Sequence, residues 1–281
     1  MKVRSCKGNA LNTGKSACPY DPEKIIGAIV VSRGTKLPAD LDGAKLEELA
    51  HADRPNRIMP ILDFVEYAKA GSEVNVSAVG YGPNQPTDVS ARTDTSTEGV
   101  YNHVLAQSLS RCMNNEYDVY FFDKNNVLYG IDDGTDTLAG YPMASIYPTI
   151  TEFPTSGAKS TLLVNFCHKD ARSSFEKANF EQLDFNISSF AYGLTPVKFI
   201  KVEDKKYKLV EAIGGLDRTA EFGDIISKTP TAALKGSTTG VTYDAATETI
   251  TVTTSAGATA PQLKSPAELY EAGIKGIEQA S

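Results

Sequence analysis

Tryptophan is absent from the 281 residues, and histidine is scarce, with three. Without Trp, a sugar-binding platform loses its most favoured aromatic. The 13 Tyr and 11 Phe fall largely within strand-like segments, where core and cross-strand packing explains them. Only four cysteines occur, Cys6, Cys18, Cys112 and Cys167, with no Cys-x-x-Cys pair. So few in so long a chain exclude a disulfide framework. Cys112 and Cys167 sit in apolar segments, where free cysteine acts as a small hydrophobe. A reducing compartment is the simpler expectation, and pairing of Cys6 with Cys18 stays open.

Long apolar runs are also missing. No stretch approaches the roughly 18 residues needed for a membrane-spanning helix, so no membrane partner is expected. The opening 30 residues lack a charged, apolar, cleavable layout, so no export is expected either. Positive charge is in deficit, 28 Lys and Arg against 35 Asp and Glu, a net −7. A chain that grips nucleic acid carries a basic stripe. The densest cluster, Lys201 to Lys208, is interrupted by Glu203 and Asp204 and reads as a solvated strand edge.

Catalytic and cofactor signatures fail on spacing. In "KGNALNTGKSACP", Gly14-Lys15-Ser16 looks like the end of a phosphate loop. However, five residues separate Gly8 from Gly14 where four are required. Pro19 and Pro22 occupy the place of the following helix. Cys167 and His168 are adjacent on a strand and face opposite sides, so they cannot share a metal. His51 and His103 have no partner at ligand spacing, and Asp132 to Asp136 reads as an acidic turn lacking a calcium loop's distal Glu. No Gly-x-Ser-x-Gly elbow occurs. Glu47 and Glu48 lie on a helix that reads as solvated. The expectation is a non-enzyme with no cofactor, no metal and no catalytic residue.

What is present is β-rich. Residues 1–24 form a polar arm without period. "IIGAIVV" is a buried strand, "DGAKLEELAHAD" an amphipathic helix, and "RIMPILDFVEY" and "EVNVSAV" are strand-like, with Pro60 at an edge or bulge. A polar stretch from Gly80 to Gly99 has no apolar period and reads as a long functional loop. "VYNHVLAQSLSRCMNN" divides into a strand and a short helix over Gln107 to Asn114. "YDVYFFD-KNN-VLYGI" is a hairpin, and "YPMASIYPTITEF" and "STLLVNFCHKD" add two strands. Past Gly193 the aromatics thin out and short strands suggest a small β-sandwich, closed by "SPAEL", whose Ser265, Pro266 and Glu268 form a helix-start signature. The division is 1–24 arm, 25–193 β domain and 194–281 second β domain.

Several of these stretches carry a resemblance. "CPYDPEKIIGAIVV", "AKLEELAHADRPNRIMPILDF", the "YG" before the long loop, "TEGVYNHVLA…SLSRCMNNEYDVYFFDKNNVLYG", "LAGYPM" and "STLLVNF" resemble the major tail (tail-tube) proteins of Bacteroides-type phages and prophages. "YDAATETITVT" and "SPAELYEAGIKGIE" resemble the immunoglobulin-like domain often fused behind them. The resemblance implies a mainly β fold: a tube-like sandwich or barrel with one or two short helices, then a small immunoglobulin-like sandwich. It further implies a virion structural protein, assembled in the bacterial host cytoplasm. Its partners would be further copies of itself in stacked, usually hexameric rings, other tail proteins, and genomic DNA passing without specific binding. By that analogy the arm, with Lys15 and Tyr20, and the Gly80–Gly99 loop, with Tyr81, Pro83, Asp88, Arg92, Asp94 and Glu98, hold the subunit contacts. A capsid decoration or neck-ring protein is the near alternative, and a carbohydrate-binding or adhesin module the distant one.

Overall fold

The computed structural model describes residues 23–280, apart from 79, 100, 136, 150–156, 158, 237 and 255–259. The chain is mainly β and divides into two compact units. One comprises Met1–Leu46 and Ile58–Ala191, the other Glu47–Arg57 and Tyr192–Ser281.

In the first unit the strands are β1 (Ile25–Ser32), β2 (Met59–Ile61), β3 (Phe64–Ala70), β4 (Val74–Ala78), β5 (Asn84–Val89) and β6 (Thr93–Glu98). They continue with β7 (Tyr117–Asp123), β8 (Val127–Asp132), β9 (Leu138–Ala139), β10 (Tyr141–Thr149), β11 (Leu162–His168) and β12 (Ala178–Gln182). Its helices are α2 (His103–Cys112), α3 (Ala171–Glu176) and α4 (Ile187–Phe190), while α1 (Gly43–His51) begins in this unit and ends in the other. Ten strands form one sheet along the order β12-β8-β7-β10-β11-β6-β3, with β1 on β7, β2 on β1 and β9 on β8.

Strand β7 organises this sheet. It pairs with β1 along its whole length, with β10 through Tyr117–Val119, and with β8 through Phe121 and Phe122. All seven of its residues are buried, so both faces are covered. On one face Val119 and Phe121 join Val30, Phe64, Tyr141, Met143, Leu162 and Phe166, with Leu105 and Leu109 of α2 packed against them. On the other, the Tyr120 hydroxyl accepts from the Leu37 N–H at 3.4 Å and donates to the Leu138 carbonyl at 3.1 Å. Each buried aromatic of this kind contributes about 2–3 kcal/mol. Helix α2 starts earlier than its sequence suggests, because Asn102 caps it by accepting from the Leu105 N–H at 3.1 Å.

The polar stretch after Gly80 is largely ordered into strands. Residues 84–89 complete a two-stranded hairpin with β4, and 93–98 form β6, inserted between β11 and β3. A loop was expected because the strand Thr-Asp-Thr-Ser-Thr-Glu has no apolar residue. Its alternation is instead polar: Asp94, Ser96 and Glu98 point inward, and the three threonines suit the pleat.

The second unit holds β13 (Thr195–Glu203), β14 (Lys206–Glu211), β15 (Thr238–Asp244), β16 (Thr249–Thr254) and β17 (Ile277–Gln279). Its helices are α5 (Thr219–Lys228), α6 (Pro230–Ala233) and α7 (Pro266–Glu271). The strands make a single sheet, β15-β16-β14-β13-β17, with β17 parallel to β13. An immunoglobulin-like sandwich would place a second sheet on this one. Among the described residues, helices contribute to this core instead, with Phe222 and Ile226 of α5 and Leu269 of α7 joining Val197, Leu209, Ile250 and Val252. Helix α5 approaches closely because Gly223 has no side chain; a Cβ there would lie 2.4 Å from the Tyr243 ring. The capping box of α7 forms as its sequence signature requires, Ser265 with Glu268.

The end of α1 is bound into this second unit. Glu47, expected to be solvated, accepts from Lys275 Nζ at 2.7 Å and from the Tyr192 hydroxyl. Those hydrogen bonds hold its carboxyl below the usual range. His51 lies against the Tyr270 ring at 4.7 Å, and its Nε2 accepts the Gly276 N–H at 2.9 Å. Its Nδ1 therefore donates to the Glu47 carbonyl at 2.8 Å, and burial lowers the pKa of this neutral ring.

Candidate interaction interface

The hairpin β4–β5 is the most exposed ordered element of the first unit. Every residue of β4 is exposed, as is every residue of β5 except the half-buried Val89. The two strands pair antiparallel from Val74↔Val89 to Ala78↔Asn84, with a bulge between Asn75 and Val76. Neither pairs with any other strand among the described residues.

Its root is tightly built. Gly71 has φ +84°, and a Cβ there would lie 1.8 Å from the Ala91 carbonyl oxygen, so only glycine fits. The Ser72 N–H donates to the Ser90 carbonyl at 3.3 Å, and the Ser90 N–H to the Glu73 carbonyl at 2.9 Å.

The register separates two faces. Val74, Val76 and Ala78 share one side of β4. Asn75 lies on the other side opposite Asp88, with Glu73 two residues before it. Val74 and Val76 are 56% and 55% exposed, and Tyr81 at the tip is fully exposed. An amphipathic hairpin with both faces in water is marginally stable on its own.

The candidate contact residues separate into two groups. Tyr81, Pro83 and Asp88 lie exposed on the hairpin. Arg92, Asp94 and Glu98 lie beyond its root, where Arg92 is half-buried and the other two are buried. Asp94 is fully enclosed and anchors a polar network. Arg92 Nε and Nη2 donate to its two oxygens at 2.9 and 2.7 Å, and the Tyr67 hydroxyl donates at 2.6 Å. His168 Nε2 completes the set at 2.8 Å. Burial alone would raise the Asp94 carboxyl, but the bonds from His168 and Arg92 outweigh it and hold it below the ordinary range. Burial pushes the Tyr67 hydroxyl up, reinforced by the Asp94 charge, so it stays a neutral donor.

Ser174 Oγ lies 3.3 Å from His168 Nδ1, which gives a Ser–His–Asp order. Ser174 is only 2% exposed and His168 only 6%, so the hydroxyl has no access to a substrate. The group ties α3, β11, β6 and β3 together.

Glu98 is enclosed differently. It is 7% exposed, and its Oε1 has no hydrogen-bond partner among the described residues. Burial, reinforced by the nearby Asp63 charge, pushes its carboxyl up to about 7. Tyr67 was not singled out from the sequence, and His168 was weighed there only as a metal ligand beside Cys167. No local pattern pointed to their pairing with Asp94, because β6 has no apolar residue and the donors that a buried carboxylate requires lie 27 and 74 positions away.

Lys15 and Tyr20 lie outside the described residues. Among the described residues no group of three or more His, Cys, Asp or Glu could hold a metal ion, and no helix is long and apolar enough to cross a membrane.

No protein-family model matches the chain. No curated protein matches it either. Among solved structures, the cryo-EM structure of the anti-feeding prophage cap, described as a tube-terminating cap, is similar at 12% identity. It covers 62% of this chain and 100% of that one, with a TM-score of 0.26, a likeness too slight to carry an argument.

Proposed function

We propose that the protein is a non-enzymatic structural subunit of a phage tail, a tail-tube protein that assembles with copies of itself into stacked rings around the DNA path. The observation that carries this reading is the β4–β5 hairpin. An ordered hairpin with valines and a tyrosine in water, held by a rigid root, suits an element completed by a neighbouring subunit. The sequence resemblance to tail-tube proteins supplies the kind of neighbour. A net charge of −7 suits a conduit that DNA traverses without adhering.

The test joins imaging to excision of the hairpin. Concentrated protein is expected to form rings or tubes of uniform diameter by negative-stain electron microscopy. Replacing residues 74–89 by a two-residue Asn-Gly turn spans the closely spaced root and leaves every strand of the main sheet. That variant is expected to keep its circular dichroism spectrum and its melting temperature to within about 5 °C, yet form no stacks. Native protein that stays monomeric at all concentrations, or a variant that stacks normally, overturns the reading.

A further inference from the structure

One turn of α1 fixes residues 47–57 within the second unit. Glu47 and His51 stand four residues apart on the same helix face, so the carboxylate bound by Lys275 and the ring bound by Gly276 act side by side. His51 is only 1% exposed, enclosed by the Tyr270 ring at 4.7 Å and the Tyr192 ring at 5.3 Å. Both ring nitrogens are committed, Nδ1 as donor to the Glu47 carbonyl and Nε2 as acceptor of the Gly276 N–H. The Gly276 carbonyl accepts in turn from the Thr195 N–H at 2.9 Å, where β13 begins beside β17.

A second proton can enter this ring only at Nε2. There it meets the Gly276 N–H, and two buried donors are left without an acceptor. The surrounding charges offer little relief. Lys275 and Arg57 both oppose a cationic ring, and Arg57 is held by Glu278 at 2.6 Å. Glu47 favours a cationic ring, but its carboxylate is already bound by Lys275 and Tyr192. Burial and the Glu47 contact raise the hydroxyls of Tyr192 and Tyr270, so neither supplies a negative charge.

We propose that His51 is the catch of an acid-released latch: a proton taken up at Nε2 expels the ring from Gly276 and frees residues 47–57 from their seat against Tyr270. The closed latch requires the neutral ring, whereas in the open latch the ring titrates as an ordinary histidine near about pH 6.5. The latch is therefore fully closed above that value. Below it, closing weakens by up to about tenfold for each pH unit, until the closed ring itself titrates. Glu47, whose carboxyl is held low by Lys275 and Tyr192, keeps its own contacts while the histidine opens. The latch lies within one chain and stands apart from the assembly reading.

Hydrogen exchange of the full-length protein at pH 7 and pH 5, corrected for the intrinsic rate, tests this. The Gly276 amide is expected to open on the order of tenfold more often at pH 5. The Leu209 amide, bonded to Thr219 Oγ1 in the core of the same unit, is expected to change little. In His51→Gln, whose side-chain oxygen accepts from Gly276 without titrating, the difference at Gly276 is expected to vanish. Equal opening of Gly276 at both pH values in the native protein, or an undiminished difference in the variant, overturns the proposal. Loss of Leu209 protection in step with Gly276 marks global unfolding and overturns it too. Nitrogen NMR of the native imidazole gives a reading that needs no variant: Nε2 is expected to carry no proton at pH 7. A proton found there at pH 7, or gained at pH 5 while the Gly276 amide stays protected, overturns the latch.

Discussion

Glu98 and Asp94 lie four residues apart on one strand and show opposite treatments of a buried carboxylate. Asp94 has four donated hydrogen bonds and stays ionised; Glu98 has an oxygen without a donor and holds its proton up to about pH 7. The linkage has a definite sign. A carboxyl raised in the folded state binds more protons than its unfolded counterpart between their two pKa values. Its contribution to stability therefore falls as pH rises from about 4.5 to about 7 and is lowest above that window. Glu98→Gln, which keeps the shape without the charge, is expected to gain on the order of 2 kcal/mol at pH 8 relative to the native protein. It is expected to gain almost nothing at pH 4. Urea denaturation at the two pH values reads the difference, and a gain independent of pH would show that Glu98 is not the group that titrates.

Among elements, the long polar stretch differs most from its sequence reading. Its first half is the exposed hairpin tip and β5, its second half a strand deep in the main sheet. A deletion of Pro83 to Thr97, natural if the stretch were a loop, removes β5 and all but one residue of β6. It removes Arg92 and Asp94 together, leaves Tyr67 and His168 without their acceptor, and separates β3 from β11. That variant is expected to be insoluble or to lack a cooperative unfolding transition, whereas the replacement of residues 74–89 folds. Soluble expression and thermal melts of the two side by side check this; equal stability would overturn the placement of β6. Elsewhere, local signals sufficed. The Tyr117–Asp123 and Val127–Asp132 hairpin, the apolar run of β1 and the Ser265 capping box were legible because each is set by residues within a few positions. Strand β6 was not, since its inward polar residues make sense only with Tyr67 and His168, which lie 27 and 74 positions from Asp94. Helix α5 was missed for a related reason: its glycine fits only against Tyr243.

For the whole molecule, the acidic balance has a direct consequence. A chain of net charge −7 without a basic stripe neutralises few phosphates, and duplex DNA is expected to migrate unshifted in a gel at about 0.15 M salt, even with micromolar protein. Retention of the DNA would oppose the conduit reading. Composition, alternation and turn residues by themselves determined a mainly β chain, its best hairpin and its terminal cap, because those depend on nearest neighbours along the chain. The tertiary structure alone decided that residues 47–57 join the second unit, where Glu47 meets Tyr192 and Lys275. It also decided which acidic residues are enclosed and which edge is left open. Burial and hydrogen-bond completion depend on partners far away in sequence, and no local pattern records where those partners fold.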